Sequence, residues 1–241
     1  YLRSIDLART RIRTTEEALA GAADAVNLAR VRGLEARNAT NQNDSSRAAI
    51  KVQLEQLFDQ VLSLSNVRSP GGGYVFSGLA SDQEAFTSVG DFGPGVTPVV
   101  TFTGESSAIE VEIDDGVYVD VTRNGENAFQ GAADVFAAIG RLWEGIDQGI
   151  ASEIDGAMDD LDLAYDHLVL ERTAIGGSEA KADSFEGRLQ VQDQELISQI
   201  SLLEDADAFE VYSDLSAQET SLQASLQITA RMLQPTLLDF I

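Results

Sequence analysis

Apolar and small residues recur every three or four positions through the first part of the chain: Ile5, Ala8, Ile12, Thr15, Leu19, Ala22, Val26, Ala29, Gly33 and Ala36. The alternation of threes and fours predicts one long helix with a coiled-coil seam, and small side chains in that seam favour close approach of a second helix. "ATNQND" then interrupts the pattern, and Asp44 or Ser45 is placed to cap a second helix reaching about Asn66. Its apolar stripe is Ile50, Leu54, Leu57, Val61 and Leu64. So short and polar a linker predicts an antiparallel helical hairpin.

After Pro70 the period changes. The pieces "YVF", "VVTF", "AIEVEI" and "VYVDV" are β-prone and alternate with Gly, Pro and Asp punctuation. Asp115-Gly116, between two alternating runs, signals a hairpin. Helix returns near Gly131, with Val135, Phe136, Ile139, Leu142, Trp143, Ile146 and Ile150 on one face. From Ala151 to about Leu233 the sequence reads as helix without proline, and Gly176-Gly177 marks a place for a kink or break. Leu189, Leu196 and Leu203 hold a seven-residue repeat; Val211, Leu215, Leu222, Leu226, Leu233 and Leu237 continue it in a shifted register. The fold class predicted is α+β: a long antiparallel helical coiled-coil rod formed by both chain ends, with an inserted small β-domain. Its expected divisions are an N-terminal helical part (1–68), the β-insert (69–130), a C-terminal helical part of the rod (131–210) and a terminal assembly helix (211–241).

The stretch "SPGGGYVFSG", residues 69–78, poses a choice between a phosphate cradle and a backbone turn. Gly73 and Gly78 have the spacing of the two P-loop glycines, but Leu79-Ala80 stands where Lys-Ser/Thr should follow, and no lysine is near. Gly71, Gly72, Gly73 and Gly78 are therefore expected to form a domain-junction turn between helix and β-insert, using positive φ angles open to glycine.

Charge sharpens this picture. The chain of 241 residues carries 40 acidic and 16 basic side chains, a formal net charge of -24. That balance argues against nucleic acid and anionic membrane as partners, since both attract basic faces. Residues 1–68 carry 10 basic and 8 acidic groups, 79–130 carry 1 and 10, and 131–241 carry 5 and 22. The arginines of the first segment (Arg3, Arg9, Arg11, Arg13, Arg30, Arg32, Arg37) and the acids of the last could bring the chain ends together and set their orientation. No apolar run is long enough to span a bilayer, which predicts a soluble chain. "YLRSIDLART" contains neither a signal peptide nor a start Met, so trimming before Tyr1 is expected.

Candidate chemistry is sparse. There is no cysteine and one histidine, His167, which excludes cysteine nucleophiles and His/Cys zinc sites. No G-x-S-x-G elbow accompanies His167, which lies mid-helix and reads as a partly exposed helix residue. Asp155, Asp159, Asp160, Asp162 and Asp166 invite a divalent cation, but no EF-hand loop is present; four of them share a helical face that a facing row of arginines would neutralise. Asp114 and Asp115 read as turn formers rather than a glycosidase pair. No catalytic residue, metal ligand or cofactor is assigned.

The end of the chain is distinctive. "SDLSAQETSLQASLQITARMLQPTLLDFI" closes on aliphatic residues with nothing after them to cover them. An apolar patch of that kind aggregates or binds, which predicts an assembly helix that orders against neighbours. The ending "LEDADAFEVYSDLSAQETSLQASLQITARMLQPTLLDFI" resembles the C-terminus of the flagellar hook-associated protein 3 family, the hook–filament junction proteins. Gly72-Gly73-Tyr74-Val75-Phe76-Ser77-Gly78 resembles that family's G-R-Y-L-F-A-G, and "SSRAAIKVQLEQLFDQVLSLSN" resembles the segment before it. The tail motif falls on Leu215, Gln218, Leu222, Gln223, Ala224, Ser225, Leu226, Leu237, Leu238, Asp239 and Phe240.

The resemblance implies an extracellular structural subunit of the bacterial flagellum, exported through the flagellar channel. Its implied partners are itself in a ring or helical homo-oligomer, the hook-side junction protein, flagellin, and an export chaperone before secretion. The residues it marks for assembly are Leu215, Leu222, Leu226, Leu233, Leu237, Leu238 and Phe240. The chain departs from the family in lacking the helix expected before Tyr1, in Pro235, and in Gly73 where the family has Arg. Two alternatives stand beside it: a flagellin-like filament subunit, and a secreted carbohydrate-active or calcium-binding β-module on a helical stalk. The last requires a clustered aromatic or carboxylate site in 74–130, whose aromatics Tyr74, Phe76, Phe86, Phe92, Phe102, Tyr118 and Phe129 mostly alternate as core residues do.

Overall fold

The computed structural model describes residues 1–38 and 44–232, with the side chains of 38 and 204–208 left aside. In order, the elements are α1 (Leu2–Asn38), α2 (Asp44–Ser65), β1 (Phe86–Val89), β2 (Val99–Phe102), β3 (Glu110–Asp114), β4 (Val117–Asp120), α3 (Gly125–Gln130), α4 (Val135–Gln148) and α5 (Ala151–Met232). The chain divides into two units, Tyr1–Glu186 and Gly187–Ile241.

In the first unit, all ten seam residues expected on α1, Ile5 to Ala36, are buried. Their counterpart lies on α5, where Ile154, Ala157, Leu161, Ala164, Leu168, Glu171, Ile175 and Ala182 are buried at the same alternating intervals, with half-buried Ser178 between the last two. Ion pairs fix how the two helices match. Arg9 meets Asp183 (2.6 Å) and Glu186, Arg13 meets Glu179 (3.4 Å), Arg30 meets Asp162, and Arg37 meets Asp155 (3.0 Å). Each step along α1 equals the step back along α5: 9 to 13 against 183 to 179, 13 to 30 against 179 to 162, 30 to 37 against 162 to 155. The helices therefore run antiparallel in one register, and Arg172 with Glu16 (2.7 Å) adds a pair of reversed sign. Antiparallel pairing of the two chain ends is as the sequence implied.

α2 returns along α1, bringing Leu64 against Gly21. Ile50, Leu54, Leu57, Phe58 and Val61 form its buried stripe. α4 lies along α2: Phe58 packs edge-on to Phe136, Trp143 Nε1 donates to Glu55 (2.9 Å), and Lys51 meets Asp147 (2.5 Å) while lying over the Trp143 ring. Asp134 caps α4 by accepting from the N–H groups of Phe136 and Ala137, and Gly149 ends it in the left-handed conformation. Six of the seven residues expected on the apolar face of α4 are buried; Ile150, beyond the helix end, is exposed.

The middle of the chain holds two two-stranded antiparallel sheets, β1–β2 and β3–β4. Asp115-Gly116 turns the second, with Gly116 at φ +67. Two strand expectations need correction. "YVF" is not a strand: Gly72 and Gly73 take positive φ just before it, Tyr74 makes an isolated bridge to Arg68, and Val75 and Phe76 point into the core. "FTSV", not foreseen, is β1. Phe58, Phe76, Phe86, Phe92, Phe102, Phe129, Phe136 and Trp143 form one chain of ring contacts, with centroids 5.1–6.2 Å apart. β1 and β2 thus share a core with α2, α3 and α4, while β3 packs against α1.

Gly78 sits within this core at φ +62, and a Cβ there would run into the carbonyl oxygen of Glu105. Gly71 has open space and no positive φ. Gly78→Ala is expected to lower stability by about 2 kcal/mol or more, through αL strain and backbone collision, whereas Gly71→Ala stays within about 0.5 kcal/mol. Urea unfolding followed by Trp143 fluorescence checks both; equal midpoints would refute the role given to Gly78.

Candidate assembly surface

The second unit consists, among the described residues, of helix alone. Gly176 and Gly177 do not break α5, which runs from Ala151 to Met232. From Gln190 to Met232 every residue whose side chain is described is exposed. Leu215, Leu222 and Leu226, expected in assembly, are 51%, 61% and 61% exposed. Leu233, Leu237, Leu238 and Phe240, with Pro235, lie outside the described residues. Phe209, Val211, Tyr212, Ile228 and Met232 are exposed as well. Among the described residues nothing gives this apolar surface the burial that stabilises most helices.

The other sequence candidates find structural employment. His167 Nε2 hydrogen-bonds the carbonyl oxygen of Asn127 at 2.7 Å. Beside it Glu171, 4% exposed, accepts from Arg123 Nε (2.5 Å) and Asn127 Nδ2 (2.8 Å). Those bonds hold the segment that opens α3 against α5. Of the acidic cluster, Asp155 meets Arg37, Asp162 meets Arg30, and Asp160 meets Arg141 (2.8 Å). Arg30 and Arg37 are among the arginines the sequence suggested; Arg141, on α4, is not. The guanidinium of Arg9 is raised above its ordinary value by hydrogen bonds to Glu186 and Asp183, and that of Arg141 by Asp160 and Glu153. Both guanidiniums therefore stay cationic.

Asp114 accepts from the N–H of Asp115, and Glu112 from that of Gly116, both local turn bonds. In the glycine stretch, Gly72 N–H donates to Ser69 O (2.8 Å) and Ser69 N–H to Gly73 O (3.0 Å), closing a tight loop between α2 and Tyr74. No group of three or more metal-ligating side chains occurs among the described residues, and no described helix is long and apolar enough to cross a membrane. The seam of α5 from Ile154 to Ala182 was missed in the sequence, although its alternating intervals were there to be counted.

Comparison with known proteins bears on this helix directly. Residues 158–241 match the family described as the bacterial flagellin C-terminal helical region. No curated protein sequence matches the chain. Among solved structures, FlgL of Xanthomonas campestris has a TM-score of 0.72 at 14% identity, over 83% of this chain and 96% of that one. Flagellar hook-associated protein-3 of Legionella pneumophila has 0.71 at 12%, over 84% and 94%. FlgL of Bacillus cereus has 0.67 at 22%, over 80% and 90%.

Leu222→Asp with Leu226→Asp should leave the unfolding of the first unit within about 0.5 kcal/mol of wild type, since both side chains are already in water. Leu161→Ala, at a fully buried seam position, should cost about 2–5 kcal/mol. Thermal melts of the three proteins check this; a large loss from the double aspartate variant would mean that those leucines are core. The fold is that of the hook-associated proteins, and the exposed leucines of α5 lie within a stretch matching the flagellin C-terminal helical region.

Proposed function

We propose that this chain is a structural subunit of the bacterial flagellum, without an active site, that joins hook to filament by polymerising through its terminal helix. One observation carries the reading: apolar helix residues that no described residue covers, inside the stretch that matches a flagellin C-terminal region, on a fold shared with hook-associated proteins. Apolar side chains in water are a standing cost that burial against neighbouring copies removes, at about 25 cal/mol per Å². Residues 211–241 form the assembly helix in this scheme, with Leu215, Leu222 and Leu226 as its described contacts and Leu233, Leu237, Leu238 and Phe240 as the rest. The turn at Gly71, Gly72, Gly73 and Gly78 joins the helical part to the β region. Partners are further copies of the chain, the hook-side junction protein and flagellin, with an export chaperone before passage through the flagellar channel.

A filament subunit is the second reading, because the matched family is a flagellin region. The β-module reading fares worse. Phe76, Phe86 and Phe129 are buried in the shared core, and only Tyr118 of the seven candidate aromatics is exposed. An aromatic ligand platform is not assembled there.

Cells lacking the gene should build hooks without filaments and shed flagellin into the medium, seen by electron microscopy and immunoblot. The wild-type gene should restore filaments and the Leu222→Asp, Leu226→Asp variant should not. Normal filaments in the deletion strain would overturn the proposal. Immunogold label along the whole filament, in place of label at its base, would decide for the filament-subunit reading.

A further inference from the structure

β1 presents an unpaired edge, and its details describe what could pair with it. Thr103 N–H donates to the carbonyl oxygen of Ala85 (2.8 Å), so by antiparallel alternation Ala85, Thr87 and Val89 bond toward β2, while Phe86 and Ser88 direct their N–H and C=O outward. Phe86 is already served. Its N–H donates to Asn66 Oδ1 (2.9 Å) and its carbonyl accepts from Asn66 Nδ2 (2.8 Å), so a side-chain amide imitates one residue of a third strand. No side chain among the described residues does the same for Ser88. A cleft of about 600 Å³ opens there, lined by Asp59 and Ser63 of α2, by Glu84, and by Thr87 and Ser88 of β1.

An uncovered edge of this kind is a template for strand addition, and β1 carries none of the usual protection by lysine, proline or a bulge. The two faces of the hairpin specify the visitor. On the outer face Val89 and Val99 are cross-strand partners, 72% and 65% exposed, which suits β-branched side chains beside them. On the inner side the cleft holds the carboxylates of Asp59 and Glu84. Its one lining cation, Arg68, lies 4.4 Å above the Tyr74 ring and donates to the Tyr74 hydroxyl (2.8 Å). Residues 79–130 as a whole carry ten acids and one base, which disfavours a second copy of the same acidic edge.

We propose that the β1 edge is a docking site for an extended, cationic segment of a partner protein, in which lysine or arginine alternates with β-branched residues. The segment adds as a third strand beyond Asn66, exchanges main-chain hydrogen bonds with Ser88, turns its cations toward Asp59 and Glu84, and lays a β-branched side chain beside Val89. The site is separate from the exposed leucines of α5 and does not depend on the role given to them.

The test uses the full chain and two capped hexapeptides, Thr-Lys-Val-Lys-Val-Lys and the same sequence with glutamate for lysine. Amide exchange and ¹⁵N shifts are read by NMR with serine and threonine labelling. The lysine peptide should slow exchange of the Ser88 N–H at least about tenfold at saturation, and the glutamate peptide should leave it unchanged. Asp59→Lys, on the solvent side of α2, should weaken lysine-peptide binding several-fold, and Ser88→Pro should abolish it. If Ser88→Pro does not fold by Trp143 fluorescence, Asp59→Lys with the exchange data still decides. Equal binding of both peptides, perturbation elsewhere without protection of Ser88, or indifference to Asp59→Lys would overturn the proposal. So would a dimer of the chain alone, seen by sedimentation, that protects Ser88 without peptide; the occupant would then be a second copy.

Discussion

Everything in the first unit depends on how closely α1 and α5 can approach. Ala8, Ala22, Ala29, Gly33 and Ala36 on one helix and Ala157, Ala164 and Ala182 on the other leave little side chain between the backbones. The register set by the ion pairs brings Ala8 level with Ala182, Ala29 with Ala164 and Ala36 with Ala157, and Leu161 and Leu168 fall between these small pairs. Small facing small lets the backbones approach closely. Even a methyl group is crowded there: a Cβ on Gly33 would run into the Met158 sulfur and force that side chain to shift. Packing of this kind is directionless along the axis, since a seam of alanines fits itself at several offsets. Arg9, Arg13, Arg30 and Arg37 remove that ambiguity, because a slip by one turn would take each of them from its carboxylate. Each pair is partly exposed and adds only about 0.2–1 kcal/mol, so their value lies in choosing the register. In a chain with net charge -24, the arginines also relieve repulsion among the acids of α5.

Two seam positions break the apolar rule, and both are explained by what crosses them. Thr15 is fully buried, donating its hydroxyl within reach of Arg11 O (2.9 Å) and Val121 O (3.2 Å). Glu171 binds Arg123 and Asn127. The chain from Val121 to Asn127 therefore docks where the helix pair offers polar atoms, and it carries β4 on one side and α3 on the other. Lys181 holds the same hairpin from α5 by donating to Tyr118 O (2.6 Å). A buried carboxylate is costly unless its lone pairs are used, and here both oxygens are. The β region is thus tied to the paired helices by hydrogen bonds at one side and to α2 and α4 by the aromatic cluster at the other.

Local sequence rules read the helices well and the strands less well, for physical reasons. The α1 seam was legible because Ile, Leu and Val at regular intervals outweigh the alanines between them. On α5 the equivalent seam is mostly alanine with a glutamate inside it, and the aspartates beside it draw the eye to charge. The leucines further along α5 were legible as a repeat, but exposure is a property of what surrounds a helix and no periodicity encodes it. β1 was hidden because "FTSV" has one strongly apolar residue on its inner face, and its burial comes from Phe129 and Phe136, distant in sequence. "YVF" failed for the opposite reason: β-prone side chains were taken into the core by a loop whose glycines turn the backbone. The glycines themselves were readable as turn formers, although only the structure reveals that Gly78 lacks room for a methyl group.

The distribution of apolar residues on the second unit's helix limits how it can be covered. At about 100° per residue, Val211, Tyr212, Leu215, Leu222 and Leu226 fall within one stripe roughly 100° wide. Ile228 and Met232 fall on a different side, and Phe209 on a third. A helix meant for one partner would confine its apolar residues to a single seam, as α1 does. One that is apolar on several sides requires neighbours on several sides, which is the environment inside a multi-helix wall. Small residues between these patches, Ser213, Ser216, Ala217, Thr220, Ser221 and Ala224, keep such neighbours close. In the proposed assembly, the complementary helices for the second unit come from other chains or from segments beyond the described residues.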